Sequence, residues 1–392
     1  GKLRLAANLS GSTTARGVRS DADRRNMTET SPPENPNSGH LQQTPLEQLH
    51  RRRGARMVAF AGFQLPLNFD GIISEHTSTR TSAGLFDVSH MGIVEILPLK
   101  GHDLQTAAES LEKITPISVT DLPRTQLRYG VLTNDEGGVV DDLIVSRSDA
   151  HLRLVLNAAR TEDDLDYIRD TTSGFAEIVV RSDLAQLALQ GPKSSEVLSG
   201  FSTEIADLKF MQWQEFQVNG TSCDISRSGY TGEDGFELIV PAESVEGIAE
   251  QLLEDDRVVP CGIGARDSLR LEAGLCLYGH ELTTSTTPIE AGLAWTIQQR
   301  RRRDATFAGA QTILDQLSSG PPRKRVGISA LTKRPIRDGA ELQSTELDSV
   351  GIVTSGGFGP SCDRPVAMGY VDTEFADAGT SLVADVRGKQ VP

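Results

Sequence analysis

The chain of 392 residues contains only four cysteines, and no two of them stand in a C-x-x-C pair. Such scattered cysteines give no support for a disulfide framework or a zinc site, and they are typical of free thiols in a reducing compartment. The H-E-x-x-H, G-x-S-x-G, G-x-x-x-x-G-K-[ST] and strand-linked G-x-G-x-x-G motifs are also missing. These absences disfavour a zinc protease, a serine hydrolase, a P-loop nucleotidase and a Rossmann dehydrogenase, and we expect no metal.

Positive charge is scarce as well. Lys and Arg number 39 against 54 Asp and Glu, so the formal net charge is −15. This balance argues against general nucleic-acid binding, and no apolar run is long enough to cross a membrane. Basic residues cluster at residues 51–53, 300–303 and 323–325. We expect each cluster to be either a solvated face or a contact for an anionic ligand or an acidic protein.

Residues 1–43 differ from the rest of the chain, because they are rich in Ser, Thr, Asn and Pro and poor in large apolar side chains. Such a segment cannot bury enough surface to offset its ordering entropy, so we expect a disordered N-terminal extension. Its first twenty residues are basic without an acid, which resembles the end of an organellar transit peptide and predicts a mitochondrial matrix. The alternative, which we favour, is that Met27 is the natural start and that the protein is cytoplasmic in a bacterium.

From residue 44 onward, short strands alternate with helices, and this pattern predicts an α+β fold. It predicts a helix over residues 45–53 with Thr44 as its N-cap, and another over residues 265–273 that ends at Gly274. Beyond residue 303, short strands separated by Gly and Pro turns predict a separate small β-barrel.

Residues 129–145 form the most informative stretch, which we predict to be a β-hairpin with its turn at residues 134–138. Its second strand carries two adjacent acids, Asp141 and Asp142, among Val, Leu and Ile. Side chains alternate along a strand, so these acids face opposite ways, and at least one should be out of bulk water. A buried carboxylate must be paired, hydrogen-bonded or protonated. A solvated edge strand, or an acid paired with a base, is the alternative.

Several motifs together carry a family resemblance. They are FDVSHM (86–91), GGVVDD (137–142), ALQGP (188–192), GYTGEDG (229–235), ARDSLRLEAG (265–274), LCLYG (275–279), PIE (288–290) with Trp295, and VAMGY (366–370). With these motifs in this order over about residues 44–391, the chain resembles the aminomethyltransferases, the T-protein family of the glycine cleavage system.

The resemblance implies a three-domain cloverleaf with tetrahydrofolate in a central channel. Residues 44–300 would form two interwoven α+β (ferredoxin-like) folate-binding domains, and residues 301–392 a C-terminal β-barrel that is apparently truncated at its end. The implied reaction takes the aminomethyl group from the lipoyl arm of the H-protein and releases ammonia. It passes the one-carbon unit to tetrahydrofolate, the co-substrate, and yields 5,10-methylenetetrahydrofolate and the reduced lipoyl arm. The implied partners are the lipoylated H-protein and the folate, with no nucleic acid and no membrane.

The resemblance also implies roles for three charged residues. Asp142 matches the catalytic aspartate, which suits a carboxylate that positions the folate amine or stabilises developing positive charge. Glu237 matches the acid that binds the pterin ring, and Arg266 matches the residue that meets the folate glutamate tail. The alternative for Arg266 is a charged surface face that it shares with Asp267 and Arg270.

Further residues are implied as the surroundings of the ligand. Tyr230, Trp295, Met91 and Tyr129 would supply apolar or aromatic walls, and Asn157 would orient the site. For Tyr230 and Trp295 the alternative is an ordinary place in the core.

Two other functions within the same superfamily remain as alternatives. A folate-binding accessory protein would carry K-G-C-Y-x-G-Q-E where this chain has RLEAGLCLYG at residues 270–279. A folate-dependent demethylase would act on a small methylated compound without H-protein. For the aminomethyltransferase, we expect one basic cluster, 300–303 or 323–325, to help dock the commonly acidic H-protein, so that charge reversal at Arg301 and Arg302 weakens the complex.

Overall fold

The computed structural model describes residues 41–392, so the predicted extension over residues 1–43 lies outside the described residues except for its last three. The first elements are β1 (Gln42–Gln43), α1 (Glu47–Arg52), β2 (Arg56–Phe60), β3 (Phe63–Asn68), α2 (Ile72–Thr81), β4 (Ala83–Asp87) and β5 (Gly92–Pro98). Strands β2 and β3 form a hairpin, and β1 pairs in parallel with β3. The first predicted helix is present, but the hydroxyl of Thr44 does not cap it. That hydroxyl donates instead to the carboxylate of Asp87.

The next elements complete a first α+β unit. They are α3 (Leu104–Leu111), β6 (Leu127–Thr133), β7 (Val139–Arg147), β8 (Leu152–Leu156), α4 (Thr161–Thr172) and β9 (Ala176–Val180). The strands form an antiparallel sheet in the order β6-β7-β8-β5-β9. Helices α3 and α4 pack on one face, over a core that includes Ile96, Leu132, Leu154 and Ile168. The opposite face of the β6–β7 hairpin is covered by residues that follow α7, among them Leu282.

A second α+β unit follows. Its elements are β10 (Leu184–Gln190), α5 (Ser194–Leu198), β11 (Trp213–Val218), β12 (Thr221–Ser226), β13 (Gly235–Pro241), α6 (Val245–Leu252) and β14 (Val258–Cys261). The sheet runs β11-β12-β13-β10-β4-β14, and only the β4–β14 pair is parallel. Because β4 comes from the beginning of the chain, the two units are interwoven.

Three helices and a last sheet complete the described chain. They are α7 (Ile263–Glu272), α8 (Gln299–Asp304), α9 (Ala310–Ser319), β15 (Arg323–Ser329), β16 (Glu341–Gln343), β17 (Ser349–Gly359), β18 (Arg364–Asp372), β19 (Val383–Asp385) and β20 (Gln390–Val391). The six strands are antiparallel in the order β15-β18-β17-β16-β19-β20. The backbone N–H of Leu331 donates to the carbonyl of Pro392, which joins the two ends of this sheet into a barrel-like form.

The predicted α+β fold with a C-terminal barrel is therefore confirmed. Helix α7 ends as predicted, since Gly274 follows it with a φ of 70°, a left-handed conformation that glycine adopts without strain. In residues 41–392 no helix combines the length and the apolar character needed to span a lipid bilayer. All four cysteines are free thiols, as the sequence predicted.

Candidate active site

The β6–β7 hairpin is present as predicted, and its turn is held by side-chain and backbone hydrogen bonds. Asn134 accepts from the N–H of Gly138 at 2.7 Å through its side-chain oxygen, and Gly137 has a φ of 90°. Beyond the turn the register shifts, so that Val139 pairs with Thr133 while Asp141 pairs with Leu132. This β-bulge immediately precedes the two acids, and bulges commonly redirect the side chains beside active sites.

The two adjacent acids have different environments. Asp141 is 0% exposed, which confirms that at least one of them is out of bulk water, whereas Asp142 is half-buried. The hydroxyl of Tyr129, on β6, donates to Oδ2 of Asp142 at 2.9 Å. The side-chain amide of Asn157, just beyond β8, donates to Oδ1 of Asp142 and to Oδ1 of Asp141, each at 2.8 Å. Although side chains alternate along β7, the two carboxyl groups therefore converge on one amide.

The ionisation of Asp142 is shifted towards neutrality. Burial raises the pKa of Asp142 to about 7, while the hydrogen bonds from Tyr129 and Asn157 oppose that rise. Burial and the Asp142 charge also raise the pKa of the Tyr129 phenol, which therefore stays a hydrogen-bond donor. At neutral pH Asp142 can thus either accept or release a proton, as a general acid–base group requires.

Two aromatic contacts extend from this carboxylate. The Tyr129 ring stacks on the indole of Trp295, with centroids 5.7 Å apart and planes at 21°, and Trp295 is 56% exposed. The guanidinium of Arg266 lies 4.7 Å from the centroid of the Tyr230 ring. The Tyr230 hydroxyl donates to the Cys276 carbonyl, and the Asp142 charge acts on the phenol. A flat ligand could therefore meet aromatic surface near Asp142.

Two charged residues lie next to this aromatic group, one on α7 and one on β13. The Nη1 of Arg266 is buried and has no hydrogen-bond partner among the described residues. Burial lowers the pKa of Arg266, while the charge of Glu237 acts in the opposite direction. Glu237 is half-buried, and its Oε2 accepts from the Ser228 hydroxyl at 2.6 Å. An unpaired guanidinium N–H beside a carboxylate can bind a ligand that carries both an acceptor and a donor.

Met91 belongs to the cluster that packs α7 on the second sheet. It is half-buried against a core formed by Phe86, Ala265 and Leu269, among others. Its neighbour His90 is buried, its Nδ1 has no partner among the described residues, and burial lowers its pKa to about 4. His90 is therefore neutral at physiological pH.

Sequence reasoning missed the residues behind the two acids. Asp164, on α4, is 0% exposed and acts on the ionisation of Asp141. Arg160 lies 5.3 Å from the centroid of the Tyr278 ring, and its charge acts on Asp164. A signal for Asp164 was present, because it shares the buried face of α4 with Leu165, Ile168 and Thr172. An acid on the apolar face of an amphipathic helix indicates a buried polar partner.

The structure also decides between the alternatives for the charged residues of α7. Asp267 pairs with Arg270 at 2.8 Å, as the spacing suggested, but Arg270 is only 3% exposed. Arg270 also bonds Glu281 and the Ser355 hydroxyl of β17. Arg270 is therefore an internal connection to the barrel, whereas Asp267 is exposed at the surface.

The prediction for Arg301 is wrong, because this side chain is 1% exposed and cannot contact a partner protein directly. Its guanidinium is bonded to Asp304 and Thr306 and to the backbone carbonyls of Glu112 and Thr115. In residues 41–392 no three His, Cys, Asp or Glu side chains are grouped so that they could hold a metal ion.

Comparisons with known proteins agree with this architecture. Residues 46–301 match the family model of the GCVT N-terminal domain, and residues 323–392 match that of the glycine cleavage T-protein C-terminal barrel domain. The aminomethyltransferase of Desulfitobacterium hafniense (strain Y51) is 40% identical over 359 residues, which cover 90% of this chain and 95% of that protein. The mitochondrial aminomethyltransferase of Pisum sativum is 40% identical over 361 residues, with 89% and 87% covered.

A solved structure gives the same result. The crystal structure of the glycine cleavage system aminomethyltransferase T from Bartonella henselae superposes with a TM-score of 0.83 at 42% identity. The match covers 90% of this chain and 96% of that one. The chain therefore belongs to the aminomethyltransferase family of the glycine cleavage system, as the motifs predicted.

Proposed function

We propose that this chain transfers a one-carbon unit from the aminomethylated lipoyl arm of the H-protein to tetrahydrofolate. The bonds from the methylene carbon to sulfur and to the amino nitrogen break, and two bonds to the N5 and N10 nitrogens of the folate form. The two protons released from those nitrogens leave with ammonia and the reduced lipoyl thiol. Ammonia, 5,10-methylenetetrahydrofolate and the dihydrolipoyl H-protein are the products.

The observation that carries this proposal is that Asp142 lies near the aromatic rings of Tyr129 and Tyr230, with an unpaired guanidinium N–H of Arg266 nearby. Tyr129 donates to Asp142 and stacks on Trp295, while Tyr230 lies against Arg266 and its phenol is acted on by the Asp142 charge. The aromatic rings suit the flat rings of a folate, and the unpaired Nη1 of Arg266 suits an oxygen acceptor of that ligand. Glu237 would accept the paired N–H groups of the aminopyrimidine edge.

Asp142 has the central chemical role in this proposal. Its carboxylate would accept a proton from the folate amine or stabilise the positive charge that develops as the carbon is transferred. Tyr129 and Asn157 would hold the two carboxylate oxygens in one orientation. Met91 would complete the apolar wall on the side of α7.

The test is to measure ammonia and methylenetetrahydrofolate formed from aminomethylated H-protein, comparing wild type with Asp142→Asn. The amide keeps the shape of the carboxylate but removes its charge, so we expect kcat to fall by roughly 10²- to 10⁴-fold. Asp183→Asn, the same change at an exposed acid that pairs with Arg181, should leave turnover unchanged. Equal turnover in wild type and Asp142→Asn would reject the catalytic role of Asp142.

Tetrahydrofolate binding, measured by calorimetry, tests the ligand separately from the chemistry. Arg266→Met should weaken binding roughly 10- to 100-fold, because a charge-assisted hydrogen bond is lost from a buried site. Asp142→Asn should change the affinity far less than it changes kcat. Absence of folate binding by the wild-type protein would reject the folate as co-substrate.

We also infer a cytoplasmic setting, with the mitochondrial matrix as the alternative. Some relatives are mitochondrial, namely the related enzymes of Dictyostelium discoideum and Pisum sativum, whereas the relative from Desulfitobacterium hafniense comes from a bacterium. The free thiols suit either reducing compartment. Expression of the full chain in its host, followed by fractionation and N-terminal sequencing, would distinguish them.

A further inference from the structure

Two buried acids lie behind Asp142 and take no part in the chemistry proposed above. Asp141 on β7 and Asp164 on α4 are each 0% exposed, and each carboxyl group acts on the ionisation of the other. Oδ2 of Asp141 and both oxygens of Asp164 receive no N–H or O–H donor from the other described residues. Two carboxylates in contact can form a hydrogen bond only if one of them is protonated, and two buried negative charges side by side would repel.

The charges around this pair do not suffice to ionise both acids. Arg160 is the cation whose charge acts on Asp164, but it also bonds Asp163, and its Nε is buried without a partner among the described residues. The remaining titratable neighbours are Asp142, which carries negative charge when ionised, and the phenol of Tyr278. A single shared cation next to several acids favours keeping one proton on the pair.

Asn157 connects this pair to the proposed catalytic acid. Its side-chain nitrogen carries two hydrogens, and it lies 2.8 Å from Oδ1 of Asp141 and 2.8 Å from Oδ1 of Asp142. The backbone carbonyl of Asp142 is a further, more distant acceptor at 3.2 Å. The amide orientation therefore depends on Asp141 as much as on Asp142.

We propose that Asp141 is a positioning residue, which keeps a proton shared with Asp164, stays uncharged, and fixes the Asn157 amide that orients Asp142. This inference rests on the proposed function of Asp142. It also has an electrostatic consequence, because a neutral Asp141 adds no second negative charge beside Asp142. Burial, followed by the contact with Asp164, raises the pKa of Asp141 to about 9, which agrees with a carboxyl that is protonated at neutral pH.

The test compares Asp141→Asn with Asp141→Leu in the transfer reaction. An asparagine keeps an acceptor for Asn157 and offers an N–H to Asp164, so it reproduces the protonated acid, and kcat should stay within about tenfold of wild type. A leucine fills the space without an acceptor, which frees Asn157, and kcat should fall on the order of 100-fold at similar KM. Equal losses in the two variants, or full activity in the leucine variant, would overturn the inference.

The pH profile distinguishes positioning from a merely structural role. If Asp141 is already neutral, Asp141→Asn leaves the acid limb of the kcat profile, set by Asp142, where it is in wild type. If Asp141 were ionised in the native enzyme, the same variant would remove a negative charge next to Asp142. The limb would then move to lower pH, and the proposal would be wrong.

An infrared measurement without substrates tests the shared proton independently of turnover. It therefore remains informative if a variant misfolds or if the proposed function is wrong. At about pH 8, between the pKa of Asp142 at about 7 and that of Asp141 at about 9, the infrared spectrum of the wild type should contain the C=O band of a protonated carboxyl. That band should be lost in Asp141→Asn, and its absence from the wild type would overturn the shared proton. A wild type that has the band but no transferase activity would reject the proposed function instead.

Discussion

At the scale of single residues, the site depends on how Asp142, the second acid of the apolar strand β7, keeps a pKa near neutrality. Burial alone would raise the pKa of Asp142, and two donors limit that rise. One is the Tyr129 hydroxyl and the other is the Asn157 amide. Removing either donor should therefore move the pH at which the enzyme becomes active.

Tyr129→Phe should shift the acid limb of the kcat/KM profile to higher pH. The phenylalanine keeps the ring that stacks on Trp295 but loses the hydroxyl that donates to the ionised carboxylate. A hydrogen bond to a charged group contributes about 1.5–3 kcal/mol, so the expected shift is roughly one pH unit or more. Tyr167→Phe is the matched control, because its hydroxyl donates to the Thr133 carbonyl. A shift in the control, or none in Tyr129→Phe, would contradict this account.

Asp141→Asn should also change how stability depends on pH. The pKa of Asp141 is about 9 in the folded protein and about 4 when unfolded, so its contribution to stability is fully present below about pH 4. That contribution is lost as the pH rises towards about 9. An asparagine does not titrate, so the stability of the variant relative to wild type should increase with pH across this window. Urea unfolding at a series of pH values would measure it, and parallel curves would contradict a raised pKa.

At the scale of elements, the hairpin that carries the acids depends on a loop from a distant part of the chain. The N–H of Val139 donates to the carbonyls of Thr283 and Thr286, and the Asn134 amide donates to the carbonyl of Thr284. The turn is therefore held against residues 283–286, and Gly138 lies at the closest approach between them.

Gly138→Ala should destabilise the protein by roughly 1–3 kcal/mol and lower its activity. A Cβ at this position would lie 1.8 Å from the carbonyl oxygen of Thr284, so the backbone must move. Gly247→Ala, in the interior of α6 with no atom within 4 Å of its Cβ, is the control. That control should stabilise the protein by about 0.5–1 kcal/mol. Thermal unfolding of both variants measures the effect, and a Gly138→Ala protein as stable as wild type would refute the close contact.

At the scale of the whole molecule, only part of the basic clusters 300–303 and 323–325 is exposed enough to contact a partner protein. Arg301 is buried, and Arg300 bonds Glu112 and Asp304. The Arg302 guanidinium donates to the carbonyls of Ala294 and Ile297, and these hydrogen bonds stabilise the turn that contains Trp295. In the first cluster Arg303 is exposed, and in the second Lys324 is exposed.

On the proposed function, and for an acidic H-protein, Arg303→Glu or Lys324→Glu should weaken the complex. A single exposed charge should change the Kd by up to about fivefold and reduce its dependence on salt. Titration of each variant with H-protein at low and high ionic strength would identify which cluster lies at the interface. Lys333→Glu, an exposed reversal in the barrel, controls for the change in net charge. Wild-type affinity in both variants would exclude the basic clusters from docking.

Much of the molecule could be predicted from the sequence because it depends on local patterns. The alternation of short strands and helices, the hairpin at residues 129–145 and the stop of α7 at Gly274 follow from periodicity and turn chemistry. Strands β4 and β14 and helix α9 were not predicted. β4 and β14 are short and pair with each other in parallel across distant parts of the chain, which a local pattern cannot indicate.

The fold class, the family and the presence of a costly pair of acids follow from composition, spacing and motif order, which are all properties of the linear chain. The contacts of each acid and base depend instead on how distant elements pack. Thr44 bonds Asp87 instead of capping α1, Arg301 is enclosed, and Asp141 meets Asp164 from another element. Burial and pairing depend on which elements pack together, and through them a strand with two similar carboxylates acquires one with a pKa of about 7 and one of about 9.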